Sequence, residues 1–225
     1  MNPQHHLDPA TLVSFASGAL GEAMVAVAAT HLVGCRRCRA LLRDADDIGG
    51  RLLAQQQPDR NRQGRFEVLR KAMSERLDGV PLETSPQPKP ENVLSVVPED
   101  HLPEPLHRYF GTTYSGLRWR WVAPGVRLIR ADNARAGSLI MLKIAPGKSL
   151  PTHGHGGTEL TQVLRGAYDD RLGHFAPGDM ADLDSEVEHQ PVTIPGVPCV
   201  CVAALEAPLR FRGWLARKLQ PLVGL

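Results

Sequence analysis

Two hydrophobic periods divide the chain. Up to about residue 78 the apolar side chains recur at helical spacing: Leu12, Phe15, Ala16 and Ala19, then Leu41, Leu42, Ile48 and Leu52, then Phe66, Leu69, Met73 and Leu77 at steps of three, four and four. That spacing puts each set on one face of a helix. Asp8-Pro9 supplies an N-cap followed by Pro at the first helical position, and Gly18/Gly21 supplies the stop. A second helix is expected from about Glu22 to Leu32. A third begins near Arg36, its end weakened by Gly49-Gly50, and a fourth spans about 61–77.

Beyond residue 106 the period drops to two. Short runs rich in Val, Ile and Leu at 126–129, 138–144, 160–164, 180–183, 192–194, 199–203 and 209–214 are separated by Pro-Gly pairs at 124–125, 146–147, 177–178 and 195–196. Regular short strands with turn signals between them predict an antiparallel barrel or jelly roll. Between the two patterns, seven of the 19 prolines fall in residues 81–105, including Ser85-Pro86-Gln87-Pro88-Lys89-Pro90. Such a run cannot be helical and reads as a spacer. The expected organisation is therefore α plus all-β in two domains: 1–80 helical, 81–105 linker, 106–225 barrel. Aromatic usage supports the split, since residues 1–108 hold only Phe15 and Phe66 of the chain's 11 Phe, Tyr and Trp.

Composition narrows the function classes. The 26 Lys and Arg nearly balance the 24 Asp and Glu over 225 residues, which gives no basis for general adhesion to nucleic acid or anionic lipid. No window reaches 18 uninterrupted apolar residues, so no membrane span is expected, and the N-terminus lacks the charged and apolar regions of an export signal, which points to the cytosol. In a reduced compartment four cysteines are not a disulfide framework, and the close pair Cys35/Cys38 raises metal binding first.

His31, Cys35 and Cys38 stand at i, i+4 and i+7, so that a helix end and the next helix's first turn can present all three to one point. Residue frequencies give about 0.003 such motifs by chance in this chain. Two thiolates and an imidazole are three-quarters of a tetrahedral zinc site, and the softness of the donors favours zinc. His5 or His6, just ahead of the first helix, can complete it, with His6 preferred. A helical part of about 75 residues supplies only about 3–5 kcal/mol by itself, whereas a structural zinc adds on the order of 10 kcal/mol.

A second constellation reads Gly147, five residues, His153-Gly-His155, three residues, Glu159, six residues, Gly166. His153 and His155 alternate onto one strand face, and Glu159 returns to the same pocket. Three imidazoles and a carboxylate would accept Zn, Fe, Mn or Ni. Cys199 and Cys201, two apart on one strand, read first as apolar core, with a redox or metal role as the alternative.

These residues carry two resemblances. A histidine near the N-terminus, four short helices and His31-x3-Cys35-x2-Cys38 resemble the zinc-containing anti-sigma domain of bacteria, over roughly residues 1–78. The second constellation resembles the first cupin motif at every spaced position. The looser segment Phe175-Ala-Pro177-Gly178-Asp179 with His189 ten residues on resembles the second cupin motif, which makes His189 the expected fourth ligand and His174 its rival. Together the chain resembles the ChrR-type cupin anti-sigma factors. That resemblance implies a regulator which sequesters an extracytoplasmic-function sigma factor without itself touching nucleic acid. It also implies release under oxidative stress such as singlet oxygen, through the cupin domain. In that family the fourth helix lies in a cleft of the sigma factor, which would assign Phe66, Leu69, Met73 and Leu77 to the partner; the alternative is that they close the protein's own bundle. The competing function class is a metal-dependent cupin enzyme, a dioxygenase or isomerase, whose helical part is only an adaptor, with Asp169, Asp170, Arg165 or Glu188 as chemical groups.

Overall fold

The computed structural model describes residues 3–57, 63–78, 98–132, 134 and 137–211. It contains helices α1 (Pro9–Ala16), α2 (Glu22–Gly34), α3 (Arg36–Gln55), α4 (Gln63–Asp78) and α5 (His107–Phe110). The strands are β1 (Arg120–Ala123), β2 (Val126–Arg130), β3 (Ser138–Ile144), β4 (His153–His155), β5 (Glu159–Arg165) and β6 (Tyr168–Asp170). They continue with β7 (Gly173–Phe175), β8 (Met180–Leu183), β9 (Val192–Thr193), β10 (Cys199–Leu205) and β11 (Leu209–Phe211). None of the described helices is long and apolar enough to cross a membrane.

Local chemistry sets the element ends. The Asp8 carboxylate accepts the Ala10 N–H at 2.7 Å with Pro9 at the first helical position, and Gly18 ends α1 at φ 70°. Helix α2 breaks at Cys35, whose backbone is extended, and the Arg39 guanidinium donates to the carbonyls of Leu32 and Val33 at 2.6 and 2.7 Å. That bond satisfies the orphan carbonyls of the α2 terminus and holds α3 against it. Helix α3 continues through Gly49-Gly50 to Gln55, further than the two glycines suggest. Gly125, Gly147, Gly178 and Gly196, the second members of the four Pro-Gly pairs, all have φ between 67 and 109°, a region in which only glycine is unstrained.

Six strands form one antiparallel sheet in the order β1-β2-β3-β10-β5-β8, beside a three-stranded sheet β7-β6-β9 and the pair β11-β4. Strand β10, Cys-Val-Cys-Val-Ala-Ala-Leu, is buried at all seven positions because both faces of the large sheet are covered. One face, with Leu139, Met141, Leu160, Met180, Val202 and Ala204, packs with Leu12, Met24 and Val27 from α1 and α2 in a single cluster. The opposite face carries Val163, Ala181, Leu183, Cys199 and Cys201 against Tyr168 and Phe175. Cys199 and Cys201 are thus core residues with free thiols.

The compact units do not follow the division 1–80, 81–105, 106–225. One unit joins residues 1–47 to 100–225, and the second is residues 48–99. The helices therefore do not make a four-helix body of their own: α1, α2 and the start of α3 share the core of the sheet, which removes the argument that a small helical core stands alone. The end of the expected linker is also part of this core, with Leu102 buried in the same cluster as α2; its residues 81–97 lie outside the described residues. In the second unit, Ile48, Leu52 and Leu53 on α3 and Phe66, Val68, Leu69, Met73 and Leu77 on α4 are all exposed.

Candidate metal centres

The break at Cys35 aims the last turn of α2 and the first turn of α3 at one point. His31, Cys35 and Cys38 are buried there, and His6, from the segment ahead of α1, joins them, with one donor atom of each within 4.8 Å of the others. His6 Nδ1 lies 3.3 Å from Cys35 Sγ and 3.7 Å from Cys38 Sγ, and His31 Nε2 lies 3.3 Å from Cys38 Sγ. A tetrahedral zinc with ordinary bond lengths has sulfur–nitrogen edges of about 3.6 Å, so the four donors fit. The Cys38 N–H donates to Cys35 Sγ at 3.4 Å, favouring a thiolate there. Burial, then the neighbouring Cys35 thiol, pushes the Cys38 thiol up to about 11; a bound cation would release that proton. Burial lowers His31 and His6, leaving their rings neutral and able to ligate. His5 is placed elsewhere, its ring stacked on Phe175 at 4.1 Å with Nε2 3.1 Å from the His174 carbonyl.

The second cluster sits between β4, β5 and the segment before β9. The backbones of His153 and His189 pair reciprocally at 3.1 and 2.9 Å, which brings their Nε2 atoms to 3.0 Å from each other. His153, His155 and His189 present donor atoms within 4.8 Å of one another, and all three are buried. Glu159, at the start of β5, lies beside them with Oε2 2.9 Å from His155 Nδ1, while its Oε1 accepts the Thr161 hydroxyl at 2.7 Å. Both ring nitrogens of His155 are buried and lack a hydrogen bond, the carboxylate lying off the N–H direction. An imidazole left so would cost about 1–3 kcal/mol, a cost that a metal ion among these donors removes. Burial alone would push the Glu159 carboxyl up; His155, and then His153 and His189, outweigh it and hold the group at about 2. The donor set is therefore anionic and suits a divalent cation.

Sequence reasoning missed the groups behind the donors. The Asp170 carboxylate, its side chain fully buried, accepts from His189 Nδ1 at 2.9 Å, and the Pro151 carbonyl lies 2.9 Å from His153 Nδ1. Such partners fix a ligand's ring and tautomer. His174 is exposed with Nδ1 2.6 Å from Asp169, outside the cluster. An open hollow of about 960 Å³, lined by Asp170, Arg171, Glu188 and His189 among others, leads to the second cluster from solvent.

The fourth-helix stripe is exposed among the described residues. Phe66, Leu69, Met73 and Leu77 are 57, 50, 63 and 68% exposed.

The sequence profile of the ChrR cupin-like domain matches residues 108–207. The anti-sigma-E factor ChrR of Cereibacter sphaeroides is 34% identical over 221 residues, covering 98% of either chain. The crystal structure of Rhodobacter sphaeroides SigE in complex with the anti-sigma ChrR matches at a TM-score of 0.70 and 32% identity, over 91% of this chain and 99% of that one.

Proposed function

The chain belongs to the ChrR family, and from that membership we propose that it is an anti-sigma factor which sequesters an extracytoplasmic-function sigma factor in the cytosol. The observation that carries the reading is the stripe Phe66, Leu69, Met73 and Leu77 on α4, half or more exposed where a soluble helix would bury such a set. An amphipathic helix with anchors at this spacing is built to enter an apolar groove on another protein. Occupying that groove keeps the sigma factor from core RNA polymerase, so the regulator needs no nucleic-acid surface; a net charge of +2 agrees with this.

The cluster of His6, His31, Cys35 and Cys38 would hold zinc, tying the N-terminal segment to the α2–α3 junction as a structural staple. His153, His155, Glu159 and His189 would hold a second divalent metal, Zn, Fe, Mn or Ni, inside a cupin barrel closed by the three sheets. Oxidative stress, singlet oxygen included, would act on this second centre and lower the affinity for the sigma factor. The metal cupin enzyme gains no support: relatives along nearly the whole chain are regulators, and Asp170, one of its proposed chemical groups, is occupied in holding His189.

The test is co-expression with the extracytoplasmic-function sigma factors of the same genome. A stoichiometric complex with one of them, and repression of its promoter in a reporter strain, is the expected result. Absence of any complex together with turnover of a diketone or thiol substrate would reverse the assignment.

A further inference from the structure

His6 is the one donor of its cluster that lies away from the α2–α3 junction, in the segment ahead of α1. Residues 3–8 have no regular structure, so something else must fix this ligand. Asp179, buried between the end of that segment and β5, does so. One carboxylate oxygen accepts the N–H groups of Gln4 at 2.6 Å and His5 at 3.0 Å; the other accepts Ala176 N–H at 2.8 Å. The Met180 N–H donates to the His5 carbonyl at 3.3 Å, and the Asp8 N–H to Asp182 at 2.9 Å. His5 stacks on Phe175, which stacks on Tyr168 at 4.8 Å. The preceding residue of the same turn, Gly178, accepts from His31 Nδ1 at 3.0 Å, leaving His31 Nε2 toward Cys38. The turn is itself rigid, since Gly178 N–H donates to the Val163 carbonyl at 2.8 Å and Val163 N–H to the Asp179 carbonyl at 3.1 Å.

One short turn of the sheet thus orients two of the four donors, the two imidazoles, while the thiols are placed by α2 and α3. We infer that the 176–180 turn, through the Asp179 carboxylate and the Gly178 carbonyl, is the positioning element that sets metal affinity at the His6/His31/Cys35/Cys38 centre. The inference rests on reading that cluster as a metal centre. Without Asp179, the segment that carries His6 loses two backbone anchors, and the site falls toward three-coordinate. The turn follows directly from the β6–β7 hairpin, paired Tyr168 to Phe175 and Asp170 to Gly173, whose Asp170 holds His189 of the other cluster. The same strip of chain therefore positions a ligand in both centres.

Co²⁺ separates the two centres spectroscopically, because a thiolate-to-cobalt charge-transfer band arises only where Cys35 and Cys38 bind. The full-length chain is titrated with Co²⁺ against a competing chelator, and the band is followed. Asp179→Ala should weaken this affinity about tenfold or more, the usual effect of removing an outer-shell partner. Asp179→Asn, which keeps one acceptor for the Gln4 and His5 amides, should recover part of the loss. His5→Ala, at the chain end and outside the sheet, should weaken it a few-fold with an unchanged far-ultraviolet circular dichroism spectrum. If Asp179→Ala does not fold, His5→Ala decides. Wild-type cobalt affinity in a folded Asp179→Ala protein, or in His5→Ala, overturns the positioning role. A band that survives Cys35→Ser with Cys38→Ser would instead overturn the metal reading on which it rests.

Discussion

Residues 1–47 with 100–225, and residues 48–99, treat their apolar side chains in opposite ways. In the first unit Leu139, Leu160, Val163, Val202 and Ala204 are wholly buried, and both faces of the large sheet are covered. In the second, eight large apolar residues on α3 and α4 lie in the open. Helix α3 belongs to both, its Cys38 a buried donor and its Leu52 exposed. The first unit carries its own stabilisation, in a two-sided core and two donor clusters. Among the described residues of the second, the exposed apolar side chains form the surface that the proposed partner would cover.

The largest effect should come from the donors. Cys35→Ala or His31→Ala should remove one metal equivalent per chain by elemental analysis and lower the melting temperature of the first unit sharply, since a structural zinc contributes on the order of 10 kcal/mol. Full metal content in such a variant would break the assignment of the cluster. Next, Leu160→Ala opens the face between α2 and β5 and should cost about 2–5 kcal/mol in denaturant unfolding while sigma binding at low temperature persists. Phe66→Glu or Met73→Glu should do the reverse. Binding measured calorimetrically falls by about 2–4 kcal/mol, and thermal unfolding stays within about 0.5 kcal/mol because these side chains are already in water. Unfolding of the charged variants would erase the contrast between the units.

Acid sharpens the comparison from another side. Burial lowers His31 and His153 below the ordinary histidine value of about 6.5. The unfolded chain then binds protons that the folded one refuses, so these two groups should make metal-free protein lose stability as pH falls below about 6.5, and add no further change above it. Urea midpoints in chelator at several pH values give the slope. The smallest effect, about 1 kcal/mol, is expected for Asp8→Ala, which removes the α1 cap.

What was legible in the sequence is what local chemistry decides. Asp8-Pro9 announced α1, the Pro-Gly pairs announced turns whose glycines have positive φ, and the strand at 180–183 has the bounds its pattern gave. The motif spacings brought His31 to Cys35 and Cys38, and His153 to His155, because each set spans only one or two adjacent elements. The packing of helices on the sheet was not legible, since a proline-rich spacer suggested separation. Two signals were nonetheless present. Helix α2 is apolar on nearly every side, and β10 is apolar at seven consecutive positions, which a one-sided core leaves unexplained. The positioning roles of Asp170 and Asp179 were not legible, because an aspartate in such a segment looks the same whether it is solvated or holds a residue 175 positions away, as Asp179 does.

That separation gives the latch a timetable. At roughly 5–20 residues per second, the ribosome releases Asp179 about 9–35 s after Gln4, which lies 175 positions earlier. For about the last 7–28 s of that interval the thiols and His31 are already made while the turn that steadies His6 is still unwritten. Helix α4 is made within the same window, so a nascent chain would present the exposed stripe before the His6 donor is held in place. On the proposed reading, capture of a sigma factor would be possible before the centre is complete, because Asp179 stands so late in the chain.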